Sequence, residues 1–178
     1  MIEPIDNSQQ QQVIDQSLRY IKLAGDILQE RFKPVPIHFD LRGSSAGMFK
    51  VSGRDCQIRY NPWLFAKYFD DNLQGTVPHE VAHYIVHCQY GLHRVRPHGA
   101  EWRAVMHAFN ADPSVTGDYD LTGIPQRRQR RFDYHCGCQS HQLSTRRHNT
   151  ISRGRGRYQC MKCSGELVYS GAPARLNA

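Results

Sequence analysis

A chain of 178 residues with 39% apolar residues and a mean hydropathy of -0.64 has the composition of a soluble globular protein, with room for one sizeable core and a small appendage. No window approaches the roughly 18 consecutive apolar residues that a membrane span requires, which excludes a membrane-spanning protein, and no membrane partner is expected. The formal charge of +7 is unevenly placed: residues 1–126 carry 12 Lys or Arg against 14 Asp or Glu, whereas 127–178 carry 11 against 2, an excess of +9.

Arginine supplies ten of those eleven C-terminal cations, and its planar fork suits phosphate. Such a polycation is drawn to phosphate backbones by counterion release, although it could also serve an anionic surface or solubility. DNA is the expected partner, single-stranded or irregular and bound without sequence preference. The opening residues, MIEPIDNSQQQQ, place acids and amides where a secretory signal has a basic patch and an apolar run, so the expected compartment is the cytoplasm. Disulfides rarely persist there, and the six cysteines are read as thiols or metal ligands.

In chain order, apolar residues at Ile14, Leu18, Ile21, Ala24 or Gly25, Leu28 and Phe32 step by threes and fours, predicting an amphipathic helix from Gln11 to Phe32 that Pro34 and Pro36 end. Val35, Ile37, Phe39 and Leu41 then alternate with other residues. With Met48 to Val51 and Gln57 to Tyr60, they predict a three-stranded antiparallel meander joined by turns at 43–45 and 52–55. Asn61-Pro62 is an N-cap followed by proline at the first helical position, opening a short helix through Phe69 that Asp70, Asp71 and Asn72 close. A further helix starts near Thr76, read as its cap, and carries HEVAHYIVHCQY; another spans about Ala100 through Phe109. Residues 112–131 lack apolar periodicity and read as a linker or a loop laid across the main domain.

Residues His79 to His83, HEVAH, carry the chemistry. Two histidines four apart on a helix project from one face and can converge on one ion, while Glu80, one step round, can reach a metal-bound water without being a ligand. Zinc acidifies that water, and a carboxylate takes its proton as it attacks a carbonyl. Val81, Ala82, Ile85 and Val86 make the surrounding helix apolar, so it is expected to be buried. A catalytic zinc needs a third protein ligand. His87 lies a turn too far along the axis, and Gln89 stands where a compact HExxHxxGxxH site has its histidine. His98, in Arg-Pro-His-Gly at a helix entry, is the leading candidate and Glu101 the runner-up.

Near the C-terminus, Cys160 and Cys163 have the two-residue gap of a zinc knuckle. Their partners are less regular: Cys136 and Cys138 are separated by one residue, while Cys138 and His141 restore the gap of two. The second site is therefore either four cysteines or three cysteines with His141. Arg146, Arg147, Arg153, Arg155 and Arg157 lie between the pairs, flanked by Tyr134 and Tyr158, a combination suited to holding phosphate and stacking on an unpaired base.

VPHEVAHYIVH, followed by HRVRPHGAEW with Gly99 and Trp102 after His98, resembles the SprT family, in which HExxH is followed by a histidine in an H-G-x-x-[FW] segment. YHCGC, HQLSTRRHN and RGRGRYQCMKC resemble the zinc-ribbon tail of its bacterial members. The resemblance implies an α+β, zincin-like metalloprotease domain over 8–125, a basic zinc-ribbon β-hairpin module over 126–170 and a tail over 171–178. It also implies His79, His83 and His98 as ligands of a catalytic Zn2+, Glu80 as the base, a second, structural Zn2+ in the tail module, and a protein substrate near DNA. The rival expectation is a nucleic-acid-binding or regulatory zinc protein whose HExxH site is catalytically idle.

Overall fold

A computed structural model of the chain describes residues 2–91, 94–114, 118–126 and 130–171, which divide into two compact units, 1–126 and 127–178. The expected tail, 171–178, lies outside the described residues apart from Gly171, as do residues 115–117 and 127–129 of the expected linker. Both units mix helices with a small sheet, so the chain is α+β.

In the first unit, α1 runs from Asn7 to Leu28 behind a capping box in which Asp6 accepts from the Gln9 amide and the Gln9 side chain accepts from the Asp6 amide. It ends four residues short of Phe32, where Gln29 adopts a left-handed conformation at φ 53°. Of the expected stripe, Ile21 and Ala24 are buried, but Val13 and Ser17 take the places of Ile14 and Leu18 in the core, and Leu18 is exposed. Ser17 occupies the core because its hydroxyl bonds to the Val13 carbonyl (2.7 Å) and the Tyr60 hydroxyl (3.0 Å), leaving no polar atom unpaired.

The sheet contains β1 (Ile37–His38), β2 (Gly47–Ser52) and β3 (Asp55–Tyr60) in the order β1-β3-β2. The expected antiparallel meander is half right. β2 and β3 form an antiparallel hairpin around Gly53, whose φ of +63° suits glycine, but β1 pairs with β3 in parallel. The 39–46 connection is long enough to carry the chain past one strand position, so β3 inserts between its predecessors.

α2 (Pro62–Lys67) starts where expected, the Asn61 side chain accepting from the amides of Trp63 and Leu64. The acidic stretch does not end the helical path. α3 (Phe69–Asp71) leads into a wide π turn over Asn72–Thr76 and directly into α4 (Val77–Tyr90). Thr76 is helical and makes no cap; its hydroxyl donates to Asn72 Oδ1 at 2.7 Å, while Asn72 Nδ2 bonds to the carbonyls of Leu64 and Tyr68. α5 (Ala100–Ala108) packs with α1 on α4, whose Val77, Val81, Ala82 and Ile85 are fully buried.

In the second unit, β4 (Arg131–His135), β5 (Ser140–Ser144) and β6 (Val168–Tyr169) form an antiparallel sheet in the order β5-β4-β6. It is more than a hairpin, because α6 (Thr145–Ser152) sits between the cysteine pairs and carries Arg146 and Arg147. Tyr134, expected to be available for base stacking, is 1% exposed, its hydroxyl 3.0 Å from His148 Nδ1, so that role is corrected. His148 in turn stacks on Phe132, with ring centroids 3.7 Å apart and planes 5° from parallel. Among the described residues no helix is long and apolar enough to cross a membrane.

Candidate metal centres

The helical step brings His79 and His83 onto one face of α4, and a turn at Arg96–Gly99 delivers His98 opposite them. The Gly99 amide bonds to the Arg96 carbonyl at 2.9 Å, and His98 takes a left-handed φ of 57°, a conformation histidine tolerates better than most residues. A β-carbon at Gly99 would stand 2.8 Å from that carbonyl, so the turn needs glycine there.

The three Nε2 atoms form a triangle with sides of 3.1, 3.0 and 3.0 Å. Three neutral imidazoles cannot satisfy one another in this arrangement, since each close pair needs one donor and one acceptor. A cation satisfies all three. Nitrogens bonded to zinc at roughly 2.0 to 2.1 Å in tetrahedral directions lie about 3.3 Å apart, so the triangle fits such an ion with little adjustment. Burial pushes His79 down to about 4 and His83 to about 3, helped by the neighbouring imidazoles, and lowers His98, so all three are neutral near pH 7, the form that ligates metal.

Trp102 forms the floor of this centre. Its ring centroid lies 4.7, 5.7 and 4.8 Å from those of His79, His83 and His98, and its indole N–H donates to the His79 carbonyl at 3.3 Å, tying α5 to α4. The H-G-x-x-W spacing flagged this position in the sequence; its packing role needed the fold. Glu101 does not join the histidines but lines an apolar groove with Ile27, Tyr90 and Ala104. His87 packs against Phe49 with centroids 5.6 Å apart, away from the triangle.

Glu80 is 6% exposed, and its Oε2 accepts from the Phe49 amide of β2 at 2.7 Å. Burial raises its pKa to about 7 against the lowering influence of that amide, which places its proton exchange near neutrality. A cleft of about 390 Å³ opens beside His79 and Glu80, lined by Ser44 to Gly47, Thr76 and Tyr119. Phe49 and Gly47 were missed at the sequence level. An isolated glycine at a strand entrance can signal close backbone approach, and that signal was present.

In the second unit, the sulfurs of Cys136, Cys138, Cys160 and Cys163 lie within 4.8 Å of one another. Cys136 and Cys138 are 3.4 Å apart, and Cys138 and Cys160 are 3.7 Å apart. His141 stands outside this group of four, its Nε2 3.3 Å from Cys136 Sγ. Burial pushes the Cys136 thiol up, but the Cys138 amide and His141 outweigh it and bring it down to about 5, while bonds to Cys163 and Cys136 hold Cys138 well above the usual thiol range. Four crowded thiols cannot all ionise without a cation, and four sulfurs at this spacing could hold one. All six cysteines are free of disulfides.

The sequence model of the SprT-like family matches residues 17–128. The chain belongs to the SprT-like family. It is 37% identical over 163 residues to Protein SprT of Pasteurella multocida, covering 91% of this chain and 93% of that one. It is 41% identical over 150 residues to Protein SprT of Vibrio parahaemolyticus (82% and 87%), and 36% identical over 161 residues to that of Yersinia enterocolitica (89% and 91%). No solved structure matches it. The family match covers His79, Glu80, His83 and His98 and ends before the four clustered cysteines.

Proposed function

We propose that the chain is a zinc-dependent metallopeptidase whose first unit is a zincin-like catalytic domain. The observation that carries this reading is the Nε2 triangle of His79, His83 and His98 with the Glu80 carboxylate buried beside it. Zinc held by that triangle would acidify a water and polarise a substrate carbonyl. The chain's own residues supply the rest. Glu80, raised to about 7, takes the proton of the attacking water and returns it to the leaving amine. The Phe49 amide holds one oxygen of that carboxylate still, and the cleft beside Gly47 and Tyr119 has room for an extended peptide.

In this reading Cys136, Cys138, Cys160 and Cys163 hold a structural zinc in the second unit, with His141 as a hydrogen-bond donor to the Cys136 thiolate. The excess of +9 in residues 127–178, with Arg146 and Arg147 exposed on α6, supports binding to DNA through its backbone, and protein held on DNA as the substrate. Six free cysteines fit the cytoplasm.

Incubation of the zinc-loaded protein with a DNA-bound protein substrate tests this directly. Wild type should cleave, Glu80→Gln should retain its zinc and lose cleavage by at least about a hundredfold, and cleavage should weaken as salt rises. Equal cleavage by Glu80→Gln and wild type would sink the peptidase reading in favour of an idle, regulatory zinc site.

A further inference from the structure

The Glu80 side chain crosses directly over the backbone of Gly47 on its way to the Phe49 amide. A β-carbon built at Gly47 would stand 2.6 Å from Glu80 Cγ, 2.7 Å from Glu80 Oε1 and 2.7 Å from Thr76 Cγ2, distances that real side chains do not adopt. No backbone torsion demands glycine here, because Gly47 sits at the start of a regular strand paired with Tyr60. Space alone does.

Thr76 cannot easily yield that space. Its hydroxyl is held by Asn72, and Asn72 is itself held by Leu64, Tyr68 and the Tyr119 hydroxyl (3.1 Å). The movable partner is the Glu80 carboxylate, whose Oε2 has one amide partner and whose Oε1 has none among the described residues. Among the described residues β2 is an edge strand, and its outward amide at Phe49 is the group that fixes Oε2.

We propose that Gly47 is a positioning residue for Glu80: by offering no side chain, it lets the edge of β2 grip one carboxylate oxygen through the Phe49 amide and keep the other facing the cleft beside His79. This rests on the reading of Glu80 as general base, since positioning matters catalytically only if the carboxylate handles the proton. The geometry extends the reactive centre beyond the two motif segments to a strand about thirty residues upstream that supplies none of the three histidines.

Gly47→Ala, Gly47→Ala/Thr76→Ser and Glu80→Ala in the full-length, zinc-loaded chain test the proposal by two independent readouts. The first, the amide proton resonance of Phe49, needs no turnover. A carboxylate-bonded amide is shifted downfield; Gly47→Ala should move it to the position seen in Glu80→Ala, with zinc content unchanged, and removing the Thr76 methyl should move it part of the way back. The second is kinetic: a carboxylate displaced by about 1 Å should lower kcat on the order of a hundredfold with KM nearly constant. A Phe49 resonance that stays at its wild-type position in Gly47→Ala overturns the proposal. So does loss of zinc or of folding in both Gly47 variants, which would make Gly47 a purely structural residue. If wild type itself cleaves nothing, the peptidase reading fails, while the amide resonance still decides whether Gly47 places Glu80.

Discussion

Glu80 and the three histidines respond to burial in opposite directions, and pH separates them. An unprotected imidazole titrates near 6.5, whereas folded His79 and His83 stay neutral down to about 4 and 3. Between those values the unfolded chain binds more protons than the folded one, so metal-free protein loses stability as pH falls from about 6.5 towards 4. Glu80 opposes this. Its folded pKa of about 7 lies above the ordinary 4.5, so over that interval the folded state holds the extra proton and gains stability on acidification. Melting temperatures of the metal-stripped protein between pH 7.5 and 4.5 should therefore fall on the acid side. The fall should be steeper in Glu80→Gln, which removes the opposing group, and shallower in His83→Phe; identical profiles in all three proteins would refute the assigned directions. The environment behind these shifts was not readable from HEVAH, because the groups around it include the Phe49 amide on β2 and the Trp102 ring on α5.

Helix α1 shows how an element can be recognised and its buried face still be misread over part of its length. Its periodicity was plain, yet Ser17 rather than Leu18 enters the core, because Tyr60 on β3 offers its hydroxyl a partner. Ile21→Ala should accordingly cost about 2–5 kcal/mol by opening a cavity, whereas Leu18→Gln should change stability by no more than about 0.5 kcal/mol. Denaturant unfolding of the two variants distinguishes the faces, and a larger loss for Leu18→Gln would place the helix in the other phase. The π turn at Asn72–Thr76 is a second case. Asp70, Asp71 and Asn72 look like a helix stop because their side chains compete for backbone groups, and Asn72 does so here. It bonds to the Leu64 and Tyr68 carbonyls, but in a way that widens the helical path instead of ending it.

Across the whole molecule, the two units differ in what can hold them together without metal. Among the described residues, the main core cluster of the first has seventeen buried residues including Trp102, Tyr60 and Phe65; that of the second has six, two of which are Cys136 and Cys160. Under the proposed function, so small a core needs the metal held by its four cysteines as a cross-link. Chelation should release two metal ions per chain, collapse the amide protection of β4 to β6, and leave the protection of α1 and α4 largely intact. Cys160→Ser/Cys163→Ser should release only one ion and behave as if the second unit alone were stripped; equal loss in both units would show that their stabilities are not separable in this way. The sequence by itself determined what depends on neighbours along the chain: the His79–Glu80–His83 helical constellation, the Cys160–Cys163 knuckle, the Asn61-Pro62 helix start and the concentration of arginine near the C-terminus. Tertiary structure decided which distant group meets each of these. It set His98 rather than Glu101 beside the histidine pair, grouped four sulfurs with His141 at their edge, ran β1 parallel to β3, and laid Glu80 across Gly47. Local spacing governs only groups within a few residues of one another, whereas these contacts join segments whose approach is set by burying a shared core.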